Sequence, residues 1–317
     1  MTEKQRFISA LERKPITGRV PHFELVFYLT MQSIGKVHPD HRHFNQWNQM
    51  TEDEKNLLRH DQADCYIKIA DKYSHSAIFV GAPNNAFEEQ IKFYNIVQEK
   101  TNGKYFVMIY GDPTIGIPKG EDMLDFSVQC LEAPQKVKKQ AQDAVNSHIE
   151  EAEQLAKHPG LVDGFAMCSD YCFNTNPFLS PAMFAEFVAP YLAQIIKAYR
   201  DLGFYTIKHT DGNIMPILDQ IVQCNPHAIH SIDPQAGCSL EEVKRIAGAK
   251  VCLIGNVNCG LLQTGTEEDV TADVRRSLRQ GMPGFGYIFS TSNCIYTGMP
   301  LERYELMHKI WLEEGIY

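Results

Sequence analysis

The chain has 317 residues and a formal net charge of −9, with 44% hydrophobic and 22% charged residues, the profile of an ordinary folded globule. The acidic excess, with no basic stripe to offset it, argues against binding a polyanion. There is no apolar run of membrane-spanning length and no apolar signal core in MTEKQRFISALERKP, and the nine cysteines are an odd number, so a cytoplasmic protein without a disulfide framework is expected.

A helix is predicted over Lys4–Arg13, with Phe7, Ile8 and Leu11 on one face and Pro15 and Gly18 ending it. The first strand is expected at Arg19–Phe27. A loop rich in His, Asn and Gln (Val37–Met50) leads to a helix over Asp53–Lys72, opened by Thr51 as N-cap. Further strands are expected at Ser76–Val80, Tyr105–Tyr110 and Gly160–Met167. Phe87–Thr101 reads as a polar, hairpin-like segment, and Pro134–Lys157 and Pro181–Leu202 as long helices with Pro near the first turn. The order then becomes strict. Strands at Phe204–His209, Ala228–Ile232, Val251–Val257 and Tyr287–Ser292 alternate with helices at Asn213–Cys224, Leu240–Ala247, Glu267–Gln280 and Leu301–Glu313. Eight strands, mostly joined by helical crossovers, predict one (β/α)8 TIM-barrel domain spanning residues 1–317. A doubly wound sheet is the alternative, but no Gly-rich dinucleotide fingerprint follows the first strand.

Polar residues close the late strands: His209 and Asp211 after the fifth, Asp233 after the sixth, Cys259 after the seventh and Cys294 after the eighth. Parallel strands gather these ends on one face, where two thiols, an imidazole and a carboxylate form the ligand chemistry of zinc. The blander readings stand beside this one. A cysteine beside a strand is usually core, His209 can pack against Asp211 or bind a substrate oxyanion, and Asp233 can cap a turn. Cys238 lies further into the loop after Asp233. Asp170 follows the fourth strand at the same mouth, as an acid, a substrate-orienting group or a cap. His38, His41 and His43 have metal-like spacing, yet with Pro39 and Asp40 they read as a solvated loop or lid.

The segments HTDGN from His209, SIDP from Ser231, GNVN from Gly255, LLQTGT from Leu261 and STSN from Ser290 resemble the uroporphyrinogen decarboxylase superfamily. RFISALERKP from Arg6, RVP from Arg19 and FLSP from Phe178 are similar too, so the resemblance covers almost the whole chain. It implies a distorted (β/α)8 barrel with a deep pocket at its C-terminal face. Decarboxylases of that superfamily resemble one another in an arginine-rich segment after the first strand, as a substrate with many carboxylates requires. Here Val20 to His41 holds no arginine and only Lys36, and Glu24 stands amid apolar residues. The resemblance is therefore to the other branch, the cobalamin-dependent zinc methyltransferases, whose pattern is His-x-Cys after one strand and a second Cys after the last. His209 and Cys294 match it; Asp211 replaces the first thiolate, and Cys259 offers a thiol elsewhere.

The resemblance implies zinc, a corrinoid protein as partner and a small-molecule methyl donor. We expect Cys259, Cys294 and His209 to hold the metal, with Asp233, Asp211 and Glu24 competing for a weaker or supporting place and Asp170 meeting substrate. Aromatic residues near the mouth (Phe23, Phe27, Tyr28, Phe173, Tyr296) suit a flat substrate such as a methoxylated aromatic, O-demethylated to Co(I). The rivals are methyl transfer from a methyl-corrinoid to a thiol, porphyrinogen decarboxylation, and a catalytically silent barrel.

Overall fold

A computed structural model describes residues 1–317. Seven parallel strands form one curled sheet in sequential order: β1 (Ala77–Phe79), β2 (Phe106–Tyr110), β3 (Gly164–Met167), β4 (Tyr205–Thr210), β5 (Ala228–Ser231), β6 (Cys252–Ile254) and β7 (Tyr287–Ile288). Side chains alternate across each strand. One from every strand turns inward to a compact apolar cluster that includes Ala77, Met108, Ala166, Ile207, Ala228, Ile254 and Ile288. Phe7, Ala10 and Leu11 of the first helix (Glu3–Leu11) join the same cluster. The opposite faces pack against the helices in a second, larger core.

The architecture is compatible with the expected barrel, but the eighth strand is not formed. Residues 19–27 lie between β7 and β1 through isolated bridges, His22 to Phe289 and Phe27 to Ile295. Toward β1 there is one backbone bond, from the Ser76 N–H to the His22 carbonyl at 2.6 Å. Pro21 lacks a donor, which works against a continuous ladder. Side chains hold the segment instead. His22 is fully buried, with Nδ1 3.1 Å from the Phe289 carbonyl and Nε2 3.2 Å from Tyr304 Oη. His75 Nε2 meets the same hydroxyl at 3.3 Å.

Other elements differ locally from expectation. Phe87–Thr101 is an α-helix rather than a hairpin. Its buried Phe93, Tyr94, Ile96 and Val97 mark a helical face that the polar residues between them obscured. The helix expected at 181–202 is two, Pro181–Phe187 and Ala189–Asp201, broken at Val188, with Pro190 in the first turn of the second, where its missing N–H leaves no bond unmade. Asn213–Cys224 contains a 3-10 turn (Met215–Ile217) and a short helix (Leu218–Gln223). The seventh predicted strand stops at Ile254, and Cys259 opens a helix (Cys259–Thr264) whose N-cap is Asn258.

Beneath the C-terminal ends lies a buried ion pair. Lys208 Nζ sits 2.7 Å from Asp112 Oδ2 and 2.7 Å from the Ser169 carbonyl, with both charged side chains wholly inaccessible. Burial alone would push the Asp112 carboxyl up, but Lys208, Thr114 and the Ser169 N–H hold it below the ordinary carboxylate value. Removing one partner strands the other charge. Lys208→Ala should therefore cost about 3–5 kcal/mol in denaturant unfolding, and pairing Lys208→Met with Asp112→Leu should recover most of the loss. The buried histidines set an acid limit. Burial depresses His22 well below 6.5 and His75 to about 3, so the unfolded chain binds protons there first. Stability should be intact above pH 6.5 and should fall by about 1.4 kcal/mol per pH unit per histidine as pH drops toward 3, read from urea midpoints across that range.

Candidate metal centre

The β4–β5 register pairs His209 with His230 as direct neighbours, both pointing inward. Their Nδ1 atoms are 2.8 Å apart, and His230 Nε2 is 3.2 Å from the Thr291 carbonyl. That carbonyl can only accept, so His230 Nε2 carries the proton. Burial, with His209 beside it, keeps His230 neutral, which makes its Nδ1 an acceptor. His209 Nδ1 must then donate. Burial likewise lowers His209 to about 4, leaving it neutral near pH 7 with an unprotonated Nε2. The lone pair of that nitrogen faces two carboxylates: Asp211 Oδ1 at 3.6 Å and Asp170 Oδ1 at 3.9 Å.

Asp170, His209 and Asp211 offer three donor atoms within 4.8 Å of one another. Asp211 is held by the Asn293 side-chain amide, and Ser231 Oγ lies 2.9 Å from its Oδ1. Ser231 Oγ is also 2.6 Å from the Ser292 carbonyl oxygen, and its single proton serves only one of the two acceptors. The Asp211 N–H donates to Asp170 Oδ1 at 2.9 Å, which fixes one carboxylate against the other. Burial and the nearby Asp170 charge raise the Asp211 carboxyl to about 6. Gly212 is required by this turn: its φ is +80°, and a Cβ would fall 2.5 Å from the Cys172 carbonyl oxygen. The cluster is open at the mouth, with 45% of the Asp170 side chain and 27% of Asp211 exposed against 7% of His209.

Both expected thiols lie nearby, outside the three-donor cluster. Cys259 Sγ is 3.7 Å from the Cys294 carbonyl. Burial pushes the Cys259 thiol up to about 12. Cys294 is raised further, by burial first and then by the negative charge of Asp211. Neither thiol ionises near neutral pH without a cation to stabilise it. Asp233 caps the turn after β5, accepting from the Gln235 N–H at 2.9 Å. Cys238 points its thiol at the Gly212 carbonyl, 3.6 Å away. Glu24 is buried against Ser290 and Thr291; its Oε2 takes Thr291 Oγ1 at 2.5 Å, the Thr291 N–H at 3.2 Å and Ser290 Oγ at 3.3 Å. His38 and His41 flank Tyr28, with ring centroids 4.9 and 4.8 Å away, and so pack as a side-chain stack.

Sequence reasoning missed His230. The signal was present, because the alternation that turns His209 inward also turns a histidine inward on the next strand, but the register that pairs them is not written in either segment. Lys208 and Asp112 were missed too, since a lone lysine in an apolar strand gives no hint of its partner.

A family profile described as uroporphyrinogen decarboxylase (URO-D) matches residues 124–311, more than half of the chain. No curated protein matches the sequence. Among solved structures the chain is similar to a methyltransferase from Methanosarcina mazei, at 15% identity and TM-score 0.74 over 99% of both chains. N-acetylneuraminate lyase from Mycoplasma synoviae matches at 15% identity and TM-score 0.39, over 87% of this chain and 70% of the other, too distant to argue from. The first likeness establishes the fold along the whole chain, and the profile spans β3 to β7 with Asp170, His209, Asp211 and Cys294 inside it. The chain belongs to the uroporphyrinogen decarboxylase family.

Proposed function

We propose that the chain, as one barrel domain of residues 1–317, is a zinc-dependent methyltransferase. It would work in the cytoplasm with a corrinoid protein, moving a methyl group from a small donor such as a methoxylated aromatic to Co(I). One arrangement carries the metal: His209 Nε2, the nitrogen left free by the bond of Nδ1 to His230, lies 3.6 Å from Asp211 Oδ1 and 3.9 Å from Asp170 Oδ1. Three such acceptors repel unless a cation sits among them. Nitrogen and oxygen donors on one open face fit zinc. His209 and Asp211 would anchor it, with Asp170 at the open side and Cys294, Cys259 or Asp233 completing the set. Similarity to a methyltransferase over the full chain supports the transfer reading.

Bound zinc would supply Lewis acidity at a leaving oxygen, or hold a thiol as thiolate if transfer runs toward a thiol. The chain's own residues supply the rest. The Thr291–His230 chain orients His209, as a partner behind a metal-binding imidazole does. Asn293 and Ser231 hold Asp211. The exposed edge of Asp170 would meet what enters the mouth, where a corrinoid protein would approach. Decarboxylation of a porphyrinogen is disfavoured by the residues after Arg19, which offer no arginine through His41.

Protein purified without oxygen should carry about one zinc per chain by mass spectrometry, lost in His209→Ala and Asp211→Ala. Cys259→Ala and Cys294→Ala then decide whether a thiol completes the site. Zinc-free native protein, or zinc indifferent to His209→Ala, would sink the reading. Direction is read from corrinoid absorbance: a methoxylated aromatic should convert Co(I) to methyl-Co(III) in the native enzyme, with at least about a hundredfold loss in Asp211→Ala.

A further inference from the structure

A cavity lies outside the barrel, between the sheet and its helical layer. Its volume is about 620 Å³, and 10 of its 16 lining residues are hydrophobic. Ile109 of β2 and Phe165 of β3 turn away from the inner cluster and form its floor, where the Tyr199 ring stacks on Phe165 at a centroid distance of 3.9 Å. Gly111 keeps that floor flat, because a Cβ there would fall 2.4 Å from a Phe165 ring carbon. Two helices, Phe87–Thr101 and Pro134–Ala156, supply the walls.

The polar groups come from those helices, and each leaves an atom free. Tyr94 is only 4% exposed, and burial alone raises its hydroxyl, with no hydrogen bond from the chain acting on it. Unlike Glu24 Oε1, that hydroxyl is not sealed off, so it opens on the cavity that Tyr94 lines. His148 Nδ1 lies 3.1 Å from the Ala144 carbonyl, which only accepts, so Nδ1 carries a proton and Nε2 is left free. Gln90 donates from its amide nitrogen to the Asn85 carbonyl at 3.0 Å, and its Oε1 remains an acceptor. Glu151 adds an exposed carboxylate at the edge, and no lysine or arginine lines the cavity.

We propose that this cavity binds an uncharged two-ring phenol, its rings on the apolar floor and its hydroxyl between Tyr94 and His148. The chemistry selects this class. An anion would meet Glu151 and no base. A sugar carries hydroxyls on both faces of its ring, and one face would lie unpaired on hydrocarbon. A bare metal ion would exchange its hydration shell for a lining that is mostly apolar. A pure hydrocarbon would leave the Tyr94 hydroxyl without a partner. A phenol sets a flat apolar face on the rings below and brings one donor to the acceptors along the wall. The cavity volume falls within the range of sites for drug-sized ligands, which suits two fused rings. The site stands apart from the metal reading, because it needs neither zinc nor a corrinoid.

Titration of the full chain with naphthol, in the presence of a chelator and followed by naphthol fluorescence, tests it. Methylnaphthalene and naphthoate, substituted at the same ring position, serve as competitors. Naphthol should bind at one site. Methylnaphthalene, with a methyl in place of the hydroxyl, should compete about tenfold more weakly, and naphthoate should not compete at millimolar concentration. Tyr94→Phe should weaken naphthol about fivefold to tenfold with an unchanged melting temperature, since the lost hydroxyl bonds nothing in the chain. His148→Leu, on the other wall, should weaken it to a similar degree and reports independently. No naphthol binding at millimolar concentration overturns the proposal, as does either competitor matching naphthol. Binding that both variants leave intact places naphthol elsewhere and overturns it too. A Tyr94→Phe chain that melts well below the native one would show the hydroxyl bonded within the fold and also end the proposal.

Discussion

The candidate site depends on a carbonyl that can only accept. The Thr291 backbone oxygen dictates which nitrogen of His230 holds its proton, and His230 in turn dictates the tautomer of His209. The consequence is an Nε2 lone pair aimed at Asp170 and Asp211, and nothing on those two residues could have produced it. The parallel sheet makes the relay possible: β4 and β5 set the two imidazoles side by side, while the chain beyond β7 brings the carbonyl to the far edge. Three elements separated by most of the C-terminal half thus fix a single proton. Stripping the carbonyl from its place would free both rings to flip, and the site would lose its polarity rather than its residues.

Charge burial is handled in two opposite ways within this structure. Lys208 and Asp112 lie wholly inside, but each oxygen and ammonium proton of the pair finds a partner, and Lys208 also lies 4.0 Å from the Tyr171 ring centroid. Such a network fixes the segments after β2 and β3 relative to β4, directly under the candidate site, and specificity of arrangement is its physical value more than net stability. Glu24 has the contrary design. Three donors converge on one oxygen and none on the other, in a place where water does not reach that atom. The two differ in charge as well: Asp112 is held ionised by its partners, whereas burial raises Glu24 to about 8 and keeps it largely protonated near neutral pH.

Much of the fold was legible because its signals are local. Strands β3 to β7 alternate or run apolar between turn residues, and helices such as Glu267–Gly281 announce themselves by a capping box, here Thr266 with Asp269. What failed had non-local causes. Residues 19–27 have the composition of a strand, but their pairing depends on two sheet edges that the sequence does not place. Phe87–Thr101 hid its helical face because glutamate and lysine separate its apolar residues. Of the site, the strand-end positions of His209 and Asp211 were readable, whereas Cys259 and Cys294 lie further along the chain than the ends of β6 and β7. The expectation that two thiols would be its nearest neighbours was not met, since side-chain distances depend on twist and register: Asp211 follows His209 around the Gly212 turn, whereas Cys259 is drawn into the first turn of a helix.

The irregular segment links fold and chemistry. A regular eighth strand would pair with β1 along its length and fill the space now lined by Glu24, Phe27 and Phe79. Here Pro21 removes one donor, and side chains secure the segment instead, His22 and His75 through Tyr304 and Glu24 through Ser290 and Thr291. Beyond Ser76 the backbones part, and the inward face of β1 and the inner wall of residues 24–27 become the two sides of a cavity. The break that costs the sheet its ladder therefore leaves a cavity beside the mouth where His209 stands, lined in part by Gly81 and Tyr110 at the ends of β1 and β2.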